Sequence, residues 1–514
     1  MGLSRRAACC AGLLLAAVLA AGAGLLALLL GRSRCDPPRY WRAAVAADTR
    51  RCSDVGRDIL KRGGSAVDAA IAALVCTSVL NPQSMGLGGG VIFTIYNAST
   101  GKVEVLNARE RAPQNITEGL LDRCGHFLLP GAQWIAVPGE LRGYEEAHLR
   151  YGRLPWKELF EPTIEMLGLG IQVPDILSQF LKYLEFHSPL KNTSLCGLVC
   201  TDGGAVLRRG EVLSWSALEK TLKAVAENGA KEFYSGKTAE KLVQDVRAEG
   251  FNFTKVDMEA PNRRAKAYHY IAETLKFANG QKAKLDDPNF SNIKEEVLHE
   301  LISDAFADYI RQLIDDRGDH PATHYDPTQL RSAPFGTSHV AVLAEDGSAV
   351  SATSTINHPF GSMVYSQQTG IILNNELADF CMKRSSKDIF PGEMPPSSMT
   401  PSILLSKGGQ SKLIIGGSGG PLIIPAVAQA IINKLWLGYD LDRAISAPIL
   451  YATGGGSIQV EKPFPPDLQK ALADMGHRVS PMQQSLNVVQ GISQDGSCIF
   501  PYSDPRKQGE ASGY

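Results

Sequence analysis

The chain has 514 residues, of which 44% are hydrophobic, so there is enough apolar material for one or two large cores. Lysine and arginine together number 52, aspartate and glutamate 53, and the formal net charge of -1 gives no basic surplus that would indicate nucleic-acid binding. The 50 glycines and 29 prolines are spread along the chain, which favours a loop-rich globular protein over a disordered one.

The first predicted element is an uncharged, mostly apolar run at residues 7–30. As a helix with a rise of ~1.5 Å per residue it would span about 36 Å, enough to cross a bilayer. A cleaved signal peptide is the alternative, but its apolar core usually has only about 7–15 residues. We therefore predict a cytoplasmic tail at 1–6, a transmembrane signal-anchor at 7–30, a linker at 31–42 and an extracellular body. The protein would be a single-pass type II protein of the plasma membrane.

Two patterns in the body fit an extracellular location. N-x-S/T sequons, the acceptors of N-glycosylation, occur at Asn97, Asn115, Asn192, Asn252 and Asn289. The chain also has ten cysteines. Two pairs of them are candidate disulfides in an oxidising compartment, namely Cys52/Cys76 and Cys196/Cys200. Each of these could instead be a buried free thiol.

The first half of the body shows mainly helical patterns. Apolar residues lie nearly all round the segment 64–80, which is typical of a buried helix. A β-branched and aromatic strand follows Gly90. Amphipathic helical patterns then dominate 140–170, 215–250 and 268–317.

From Thr337 the pattern changes to strands and tight turns. Two strands flank the turn signal Asp346-Gly347. A further strand at 412–415 leads into a glycine cluster and then into a helix that opens with Pro421. The mixed order of helices and strands predicts α/β or α+β layers.

Two glycine clusters can each be interpreted in more than one way. Gly86–Gly90 lies after a helix and before a strand, the reverse of the order in a dinucleotide-binding motif, so we expect backbones to approach closely there. Gly416–Gly420 has the order strand, loop, helix but lacks the Lys-Ser/Thr of a P-loop. Its backbone N–H groups could stabilise an anion, and a simple tight turn fits the spacing equally well.

One pair of histidines has a spacing that is found among metal ligands. His320 and His324 are four residues apart, but Pro321 argues against a continuous helix between them and no third ligand stands nearby in the sequence. The pattern therefore favours loop histidines, and we predict no metal site.

Several longer blocks carry a resemblance to a known family. They are NARERAP, VPGELRGYEEAHLRYGRLPW, GTSHVAVLAEDGSAVSATSTIN, NNELADF and the C-terminal GEASGY. Together they resemble the γ-glutamyltransferases, over a region from about Ala43 to Tyr514. The resemblance implies an N-terminal-nucleophile hydrolase fold, which is a four-layer αββα sandwich. It also implies a precursor that cleaves itself between Gly336 and Thr337 into a large part, 43–336, and a small part, 337–514.

The same resemblance implies an activity and its partners. A γ-glutamyltransferase cleaves the γ-glutamyl amide of glutathione and of glutathione S-conjugates such as leukotriene C4. Water or an acceptor amino acid or dipeptide then takes the γ-glutamyl group, and no cofactor is needed. Freed by the self-cleavage, the α-amine of Thr337 could act as the base for its own hydroxyl. Gly336 is expected to give the backbone conformations that other residues cannot adopt.

The resemblance also implies roles for individual residues. Arg109 would bind the α-carboxylate of the substrate, together with Ser397 and Ser398. The α-ammonium group would contact Glu376, Asp379 and Asn357. Thr355 would orient the Thr337 hydroxyl, and the N–H groups of Gly419 and Gly420 would stabilise the oxyanion. Taken singly, these residues could be structural ion pairs, surface charges or turn residues.

The sequence departs from the family between about Glu249 and Lys266, where some tens of residues are absent. Their loss would leave apolar faces uncovered, at a cost comparable with a total stability of ~5–15 kcal/mol. The alternative interpretation is therefore an uncleaved, catalytically silent membrane glycoprotein of the same family. The loop from Phe380 to Pro396 is also shorter than in well-known members.

Overall fold

The structure is a computed structural model. It describes residues 40–113, 116–117, 119–124, 128–249, 266–282, 300–315, 318, 320, 322–325, 336–382, 389–453, 457–482 and 488–514. Within these ranges the α-helices, numbered in chain order, are α1 Arg50–Lys61, α2 Ala66–Leu80, α3 Glu140–Tyr151, α4 Glu161–Gly168, α5 Asp175–His187, α6 Cys196–Val199, α7 Ser216–Asn228, α8 Lys231–Ser235, α9 Lys237–Ala248, α10 Lys266–Lys282, α11 Asp304–Leu313, α12 Ile423–Leu435, α13 Leu441–Ser446 and α14 Pro466–Asp474.

The strands form two large sheets and two small ones. They are β1 Ala44–Ala46, β2 Gly90–Asn97, β3 Lys102–Ala108, β4 Ile171–Gln172, β5 Val212–Leu213, β6 Gly336–Leu343, β7 Ala349–Asn357, β8 Ser402–Leu405, β9 Ser411–Ser418, β10 Leu450–Ala452, β11 Ile458–Val460, β12 Val479–Pro481, β13 Val488–Asp495, β14 Cys498–Ser503 and β15 Ser512–Gly513. One large sheet has the order β15-β1-β6-β7-β2-β3 and the other the order β14-β13-β9-β8.

The two large sheets pack face to face between helices. The six-stranded sheet contacts α1, α2 and α3 on its outer face, and its strands β6 and β7 contact β9 of the four-stranded sheet. Helices α12 and α13 cover the outer face of the four-stranded sheet. The layers therefore follow the order helix, sheet, sheet, helix, as the predicted αββα sandwich requires.

The segment predicted as a buried helix is α2, and all of its side chains are buried. A capping box fixes its start, because the Ser65 hydroxyl accepts from the N–H of Asp68 while the Asp68 carboxylate accepts from the N–H of Ser65. The helix lies under β6 and β7, so it supports the strands that carry the two central threonines of the cleft described below.

The predicted hairpin is confirmed as β6 and β7, which pair antiparallel. Gly347 has a positive φ of 82°, and the Asp346 carboxylate accepts from the N–H of Ser348. Both residues therefore form the tight turn that the sequence predicted. Gly86–Gly90 also behaves as expected. A Cβ added to Gly88 would lie 2.1 Å from the carbonyl oxygen of Ile372, so the backbones do approach closely there.

The second glycine cluster differs from its prediction. Gly416 and Gly417 belong to β9, paired with β13, and not to a loop. The reason is space between the sheets, because a Cβ on Gly416 would lie 2.2 Å from the ring of His339. The helix does not open with Pro421 either: a 3-10 turn, Gly420–Leu422, precedes α12, which begins at Ile423.

Both predicted disulfides are present. Cys52–Cys76 joins α1 to α2, and Cys196–Cys200 joins the two ends of the short helix α6 in the large part. A third disulfide, Cys124–Cys381, was not predicted.

Two of the five sequons lie within the described residues. Among the described residues no helix combines the length and apolar character needed to cross a membrane, and the predicted anchor at 7–30 lies outside them. Of the sequons, Asn192 is exposed and Asn97 is partly exposed. The other three, Asn115, Asn252 and Asn289, lie outside the described residues.

Candidate active site

A cleft lies where the start of β6 and the end of β7 meet the segments around β8 and β9. Its empty space, including the part open to solvent, is about 380 Å³. Its lining residues are Arg109, Thr337, Thr355, Asn357, Glu376, Asp379, Ser397, Ser398, Met399, Gly420, Pro421 and Ile423. All residues predicted for catalysis and substrate binding are among them except Gly419, which is the neighbour of Gly420. The fold therefore brings together residues that are far apart in the sequence.

One end of the cleft, here called the threonine end, contains Gly336, Thr337 and Thr355. The Thr337 and Thr355 hydroxyl oxygens are 3.2 Å apart, and the Thr355 hydroxyl donates to the carbonyl oxygen of Gly336 at 2.5 Å. The N–H of Asn357 donates to the Thr355 hydroxyl at 2.8 Å. The register of the β6–β7 ladder shifts between Gly336 and Thr337, so the peptide bond predicted to break lies at a bulge.

Position 336 requires glycine because of close neighbours, and not because of the backbone conformation that the sequence suggested. Its φ is not positive, so the expectation of an unusual backbone conformation is wrong. A Cβ at this position would lie 2.5 Å from the carbonyl oxygen of Asn357 and 2.6 Å from that of His358. Only glycine lets the backbone pass so close to the end of β7.

A buried lysine near the C-terminus contacts the next peptide unit and was not predicted from the sequence. The Lys507 ammonium group donates to the carbonyl oxygen of Thr337 and lies 2.9 Å from a carboxylate oxygen of Asp48. Gln490 donates to the second oxygen of Asp48 at 2.6 Å. Because a buried charge is tolerated only when it is paired, Lys507 and Asp48 form one unit that fixes Thr337.

The other end of the cleft, here called the charged end, contains Arg109, Glu376 and Asp379. Arg109 is 2% exposed, and its Nη2 lies 2.6 Å from Glu376 Oε2 and 2.9 Å from Asp379 Oδ2. The same nitrogen donates to the carbonyl oxygen of Pro396 at 3.3 Å. Asn357 joins this end to the threonine end, because its side-chain amide donates to Asp379 at 3.1 Å.

Two asparagines that sequence reasoning overlooked position Glu376. Asn374 accepts from the N–H of Glu376 at 2.9 Å and donates to the carbonyl oxygens of Gly88 and Ala136. Asn375 donates to the carbonyl oxygen of Leu129. Both belong to the NNELADF block, so the signal was present, but it was used only for its acids. Burial raises the pKa of Glu376 above its usual range, and the Arg109 guanidinium opposes that rise.

The remaining predicted residues form the rim of the cleft. Ser397 accepts from the N–H of Met399 at 3.2 Å, and Ser398 lines the cleft beside it. Gly419 and Gly420 have φ values of 129° and 57°, so the turn after β9 needs glycine at both positions. Their peptide units stand at the entry to α12, where N–H groups suit a developing negative charge.

A buried glutamate supports the sheet from behind the cleft. Glu140 of α3 is fully buried, accepts from the Ser354 hydroxyl at 2.9 Å and from Tyr144 at 2.5 Å. Burial, with a contribution from the carboxylate of Glu110, raises the pKa of Glu140 to about 8. Since Ser354 precedes Thr355 on β7, this neutral acid contacts the strand of the threonine end.

The histidine pair has a third potential ligand that the sequence did not reveal. Atoms of His320, His324 and Glu273 of α10 lie within 4.8 Å of one another. Glu273, however, already accepts from Lys276 at 2.9 Å and from the Tyr325 hydroxyl. Both carboxylate oxygens of Glu273 therefore already have partners within the protein.

Comparisons with known proteins give the family. The Gamma-glutamyltranspeptidase family model matches residues 52–264 and 248–514. The chain is 48% identical over 541 residues to the glutathione hydrolase 5 proenzyme of Rattus norvegicus, with 94% of each chain covered. It is 46% identical over 564 residues to that of Homo sapiens, with 95% of this chain and 96% of that protein covered. The chain belongs to the gamma-glutamyltranspeptidase family and is an enzyme of the γ-glutamyltransferase and glutathione hydrolase class.

A solved structure supports the fold. The chain resembles the cephalosporin acylase from Bacillus halodurans with a TM-score of 0.79 and 23% identity, over 94% of this chain and 97% of that one. The two family matches overlap at 248–264, in the region where the sequence is predicted to depart from the family. In addition, the comparison with the rat protein extends over 541 positions although this chain has 514 residues, so this chain has gaps relative to that protein.

Proposed function

We propose that the chain is a membrane-anchored extracellular γ-glutamyl hydrolase and transferase with Thr337 as an N-terminal nucleophile. It would act on glutathione and on glutathione S-conjugates such as leukotriene C4. Relatives named glutathione hydrolase support the substrate class. The observation that carries the proposal is the contact between Thr337, Thr355 and the Gly336 carbonyl at a bulge within a charged cleft.

The threonine end suits self-cleavage. The Thr337 hydroxyl would attack the Gly336 carbonyl carbon, while the Thr355 hydroxyl donates to the carbonyl oxygen on which negative charge develops. The C–N bond then breaks, the nitrogen takes the proton, and water hydrolyses the resulting ester. The products are a carboxylate on Gly336 and a free α-amine on Thr337, which can serve as the base for the neighbouring hydroxyl.

The charged end suits the α-carbon of a γ-glutamyl group, which carries one ammonium and one carboxylate. In the structure Arg109 is paired with Glu376 and Asp379. A bound substrate would exchange these ion pairs, its carboxylate taking Arg109 and its ammonium taking the two acids. Arg109, Glu376 and Asp379 would each keep a partner of opposite charge through this exchange, which limits the desolvation cost.

The reaction would proceed by two acyl transfers. Thr337 attacks the γ-carbonyl carbon, the amide bond breaks, and the amine product, such as cysteinylglycine, leaves with a proton. Water, an acceptor amino acid or a dipeptide then attacks the γ-glutamyl ester and restores the hydroxyl. The N–H groups of Gly419 and Gly420 would stabilise the oxyanion in both steps.

The proposed extracellular location rests on the disulfides and on the apolar run. Disulfides persist mainly in oxidising compartments, and the described residues contain three of known pairing. Residues 7–30 would anchor the chain with its C-terminal body outside. An epitope tag placed after Tyr514 should be labelled by antibody on intact cells, and labelling only after permeabilisation would contradict the orientation.

A second candidate is the uncleaved, silent glycoprotein, which the gaps relative to the rat protein favour. The purified full-length protein separates the two. A reducing gel should show two chains, and the protein should release cysteinylglycine from glutathione, with leukotriene C4 tested in parallel. One intact chain without either activity would establish the silent alternative.

A further inference from the structure

The unpredicted disulfide spans the proposed cleavage site. Cys124 and Cys381 are 257 residues apart, and the bond between Gly336 and Thr337 lies between them. After cleavage this disulfide would join two separate chains. The small part contains one other cysteine, Cys498, which is also disulfide-bonded. Because Cys381 is already paired, the partner of Cys498 must precede Thr337 as well.

The disulfide is attached directly to the element that carries the acids of the charged end. A 3-10 helix, Glu376–Met382, contains Glu376, Asp379 and Cys381. On the other side, Cys124 follows a short 3-10 turn, Leu120–Arg123, of the large part. Helices of this kind have poorer hydrogen-bond geometry than α-helices, so neighbouring contacts must hold them in place.

Several of those neighbouring contacts come from the large part. A small apolar cluster brings Leu120, Leu129 and Trp134 of the large part against Leu377 and Phe380. Asn375 adds a hydrogen bond to the carbonyl oxygen of Leu129. No strand of the described sheets includes the acids themselves, in contrast to Thr337 and Thr355, which are held by ladders on β6 and β7.

We propose that Cys124–Cys381 positions Glu376 and Asp379 in the matured enzyme, so that its loss weakens recognition of the substrate α-ammonium group. The inference rests on the proposed function, since it assumes cleavage and a γ-glutamyl substrate. A covalent link keeps the two segments at high effective concentration after the backbone between them is broken. The crosslink thus acts through the acids and touches no reacting atom.

Peptide mapping of the full-length protein tests the connection. Thiols are alkylated without reduction, and the protein is digested with trypsin. The peptide 124–142 should be found linked to the peptide 337–383. A linked peptide that begins at Ser332 would show an uncleaved chain and overturn both the proposed function and the link between two chains. A free 337–383 peptide would overturn this inference alone.

Kinetics test the positioning role. The double variant Cys124→Ser/Cys381→Ser is assayed with γ-glutamyl-p-nitroanilide and with glutaryl-p-nitroanilide, which lacks only the α-ammonium group. We expect KM for the γ-glutamyl substrate to rise about tenfold with kcat within about twofold, and both constants for the glutaryl substrate to stay within about twofold. The control is Cys196→Ser/Cys200→Ser, which removes a disulfide inside the large part. It should change neither KM nor kcat for either substrate.

Two kinetic results would overturn the proposal. An unchanged KM would show that the acids need no crosslink. An equal loss with both substrates would show a general structural role with no specific effect on the ammonium site. If the double variant fails to fold, peptide mapping of the unaltered protein still decides whether the crosslink joins the two parts. Brief reduction of that protein, assayed with both substrates, then takes the place of the variant.

Discussion

Thr337 and Thr355, at the threonine end, lie on β6 and β7 in the middle of a six-stranded sheet, whereas Glu376 and Asp379, at the charged end, lie on a seven-residue 3-10 helix. The first pair is fixed by backbone ladders, a buried helix and the Lys507–Asp48 pair. The second is fixed by asparagines, a small apolar cluster and a disulfide. Groups that form and break bonds need the tighter geometry, and the sheet supplies it.

The largest effect should come from removing the nucleophile at the threonine end. Thr337→Ala should remain a single chain on a reducing gel and lose activity by roughly 10⁴-fold or more, because both the attacking hydroxyl and the freed amine are lost. Thr337→Ser is the matched control, since it keeps a hydroxyl and should still cleave. Two chains in the alanine variant would contradict the assignment.

The buried pair behind Thr337 should give the next largest effect. Lys507→Met leaves Asp48 buried without its cation, so stability should fall by about 3–5 kcal/mol and self-cleavage should slow. The double variant Asp48→Asn/Lys507→Met should recover thermal stability but not cleavage, because the contact with the Thr337 carbonyl oxygen is still missing. Full recovery of both would show that Lys507 serves stability alone.

Glu140, the buried acid behind β7, should make the stability of the protein depend on pH. Burial raises the pKa of Glu140 from 4.5 to about 8, so the folded state holds a proton that the unfolded state releases between these values. Stability due to this group is therefore present below about pH 4.5 and is lost as pH rises toward 8. Glu140→Gln does not titrate, and its stability relative to the unaltered protein should rise by on the order of 3 kcal/mol from pH 5 to pH 8.

Melting curves of the Glu140→Gln variant and the unaltered protein at both pH values provide that measurement. Glu146→Gln, at a half-exposed position on the same helix, is the control and should show no such change. Parallel pH dependence for Glu140→Gln and the unaltered protein would contradict a neutral buried acid.

The charged end should be more tolerant than the threonine end. Arg109→Lys keeps the charge but removes the guanidinium whose Nη2 contacts Glu376, Asp379 and the Pro396 carbonyl oxygen. A lysine also lacks the planar pair of donors that suits a substrate carboxylate. We expect KM for the γ-glutamyl substrate to rise roughly 30-fold, equivalent to about 2 kcal/mol, with a smaller change in kcat. Arg111→Lys, in the same sequence block but outside the cleft, should leave KM unchanged. A loss confined to kcat would place Arg109 with the reacting groups.

Local signals in the sequence were sufficient for the elements of the threonine end. The Asp346-Gly347 turn and the β-branched runs predicted β6 and β7, and the all-round apolar pattern predicted α2. The cleft residues followed from the family blocks. Glycines were harder to interpret, because the need for glycine comes from residues that are distant in the sequence. A side chain at Gly336 would clash with His358, and one at Gly416 would clash with His339. No local sequence pattern indicates these contacts.

Most of the contacts that were missed join distant parts of the chain. Lys507 pairs with Asp48, and Cys124 pairs with Cys381. In both cases the separation along the sequence gives no indication of which residue is the partner. Glu140 reads as one polar position on an amphipathic helix, whereas the fold buries it against Ser354. Such pairs are decided by how the layers pack, so they become visible only in three dimensions.

The proposed function requires that the chain is cleaved at one peptide bond, which frees the α-amine of a threonine. N-terminal sequencing of the purified, reduced protein tests this cleavage most directly. The account predicts a second chain that begins Thr-Ser-His-Val, at Thr337. A single intact chain, or a second chain that begins at any other residue, would contradict it.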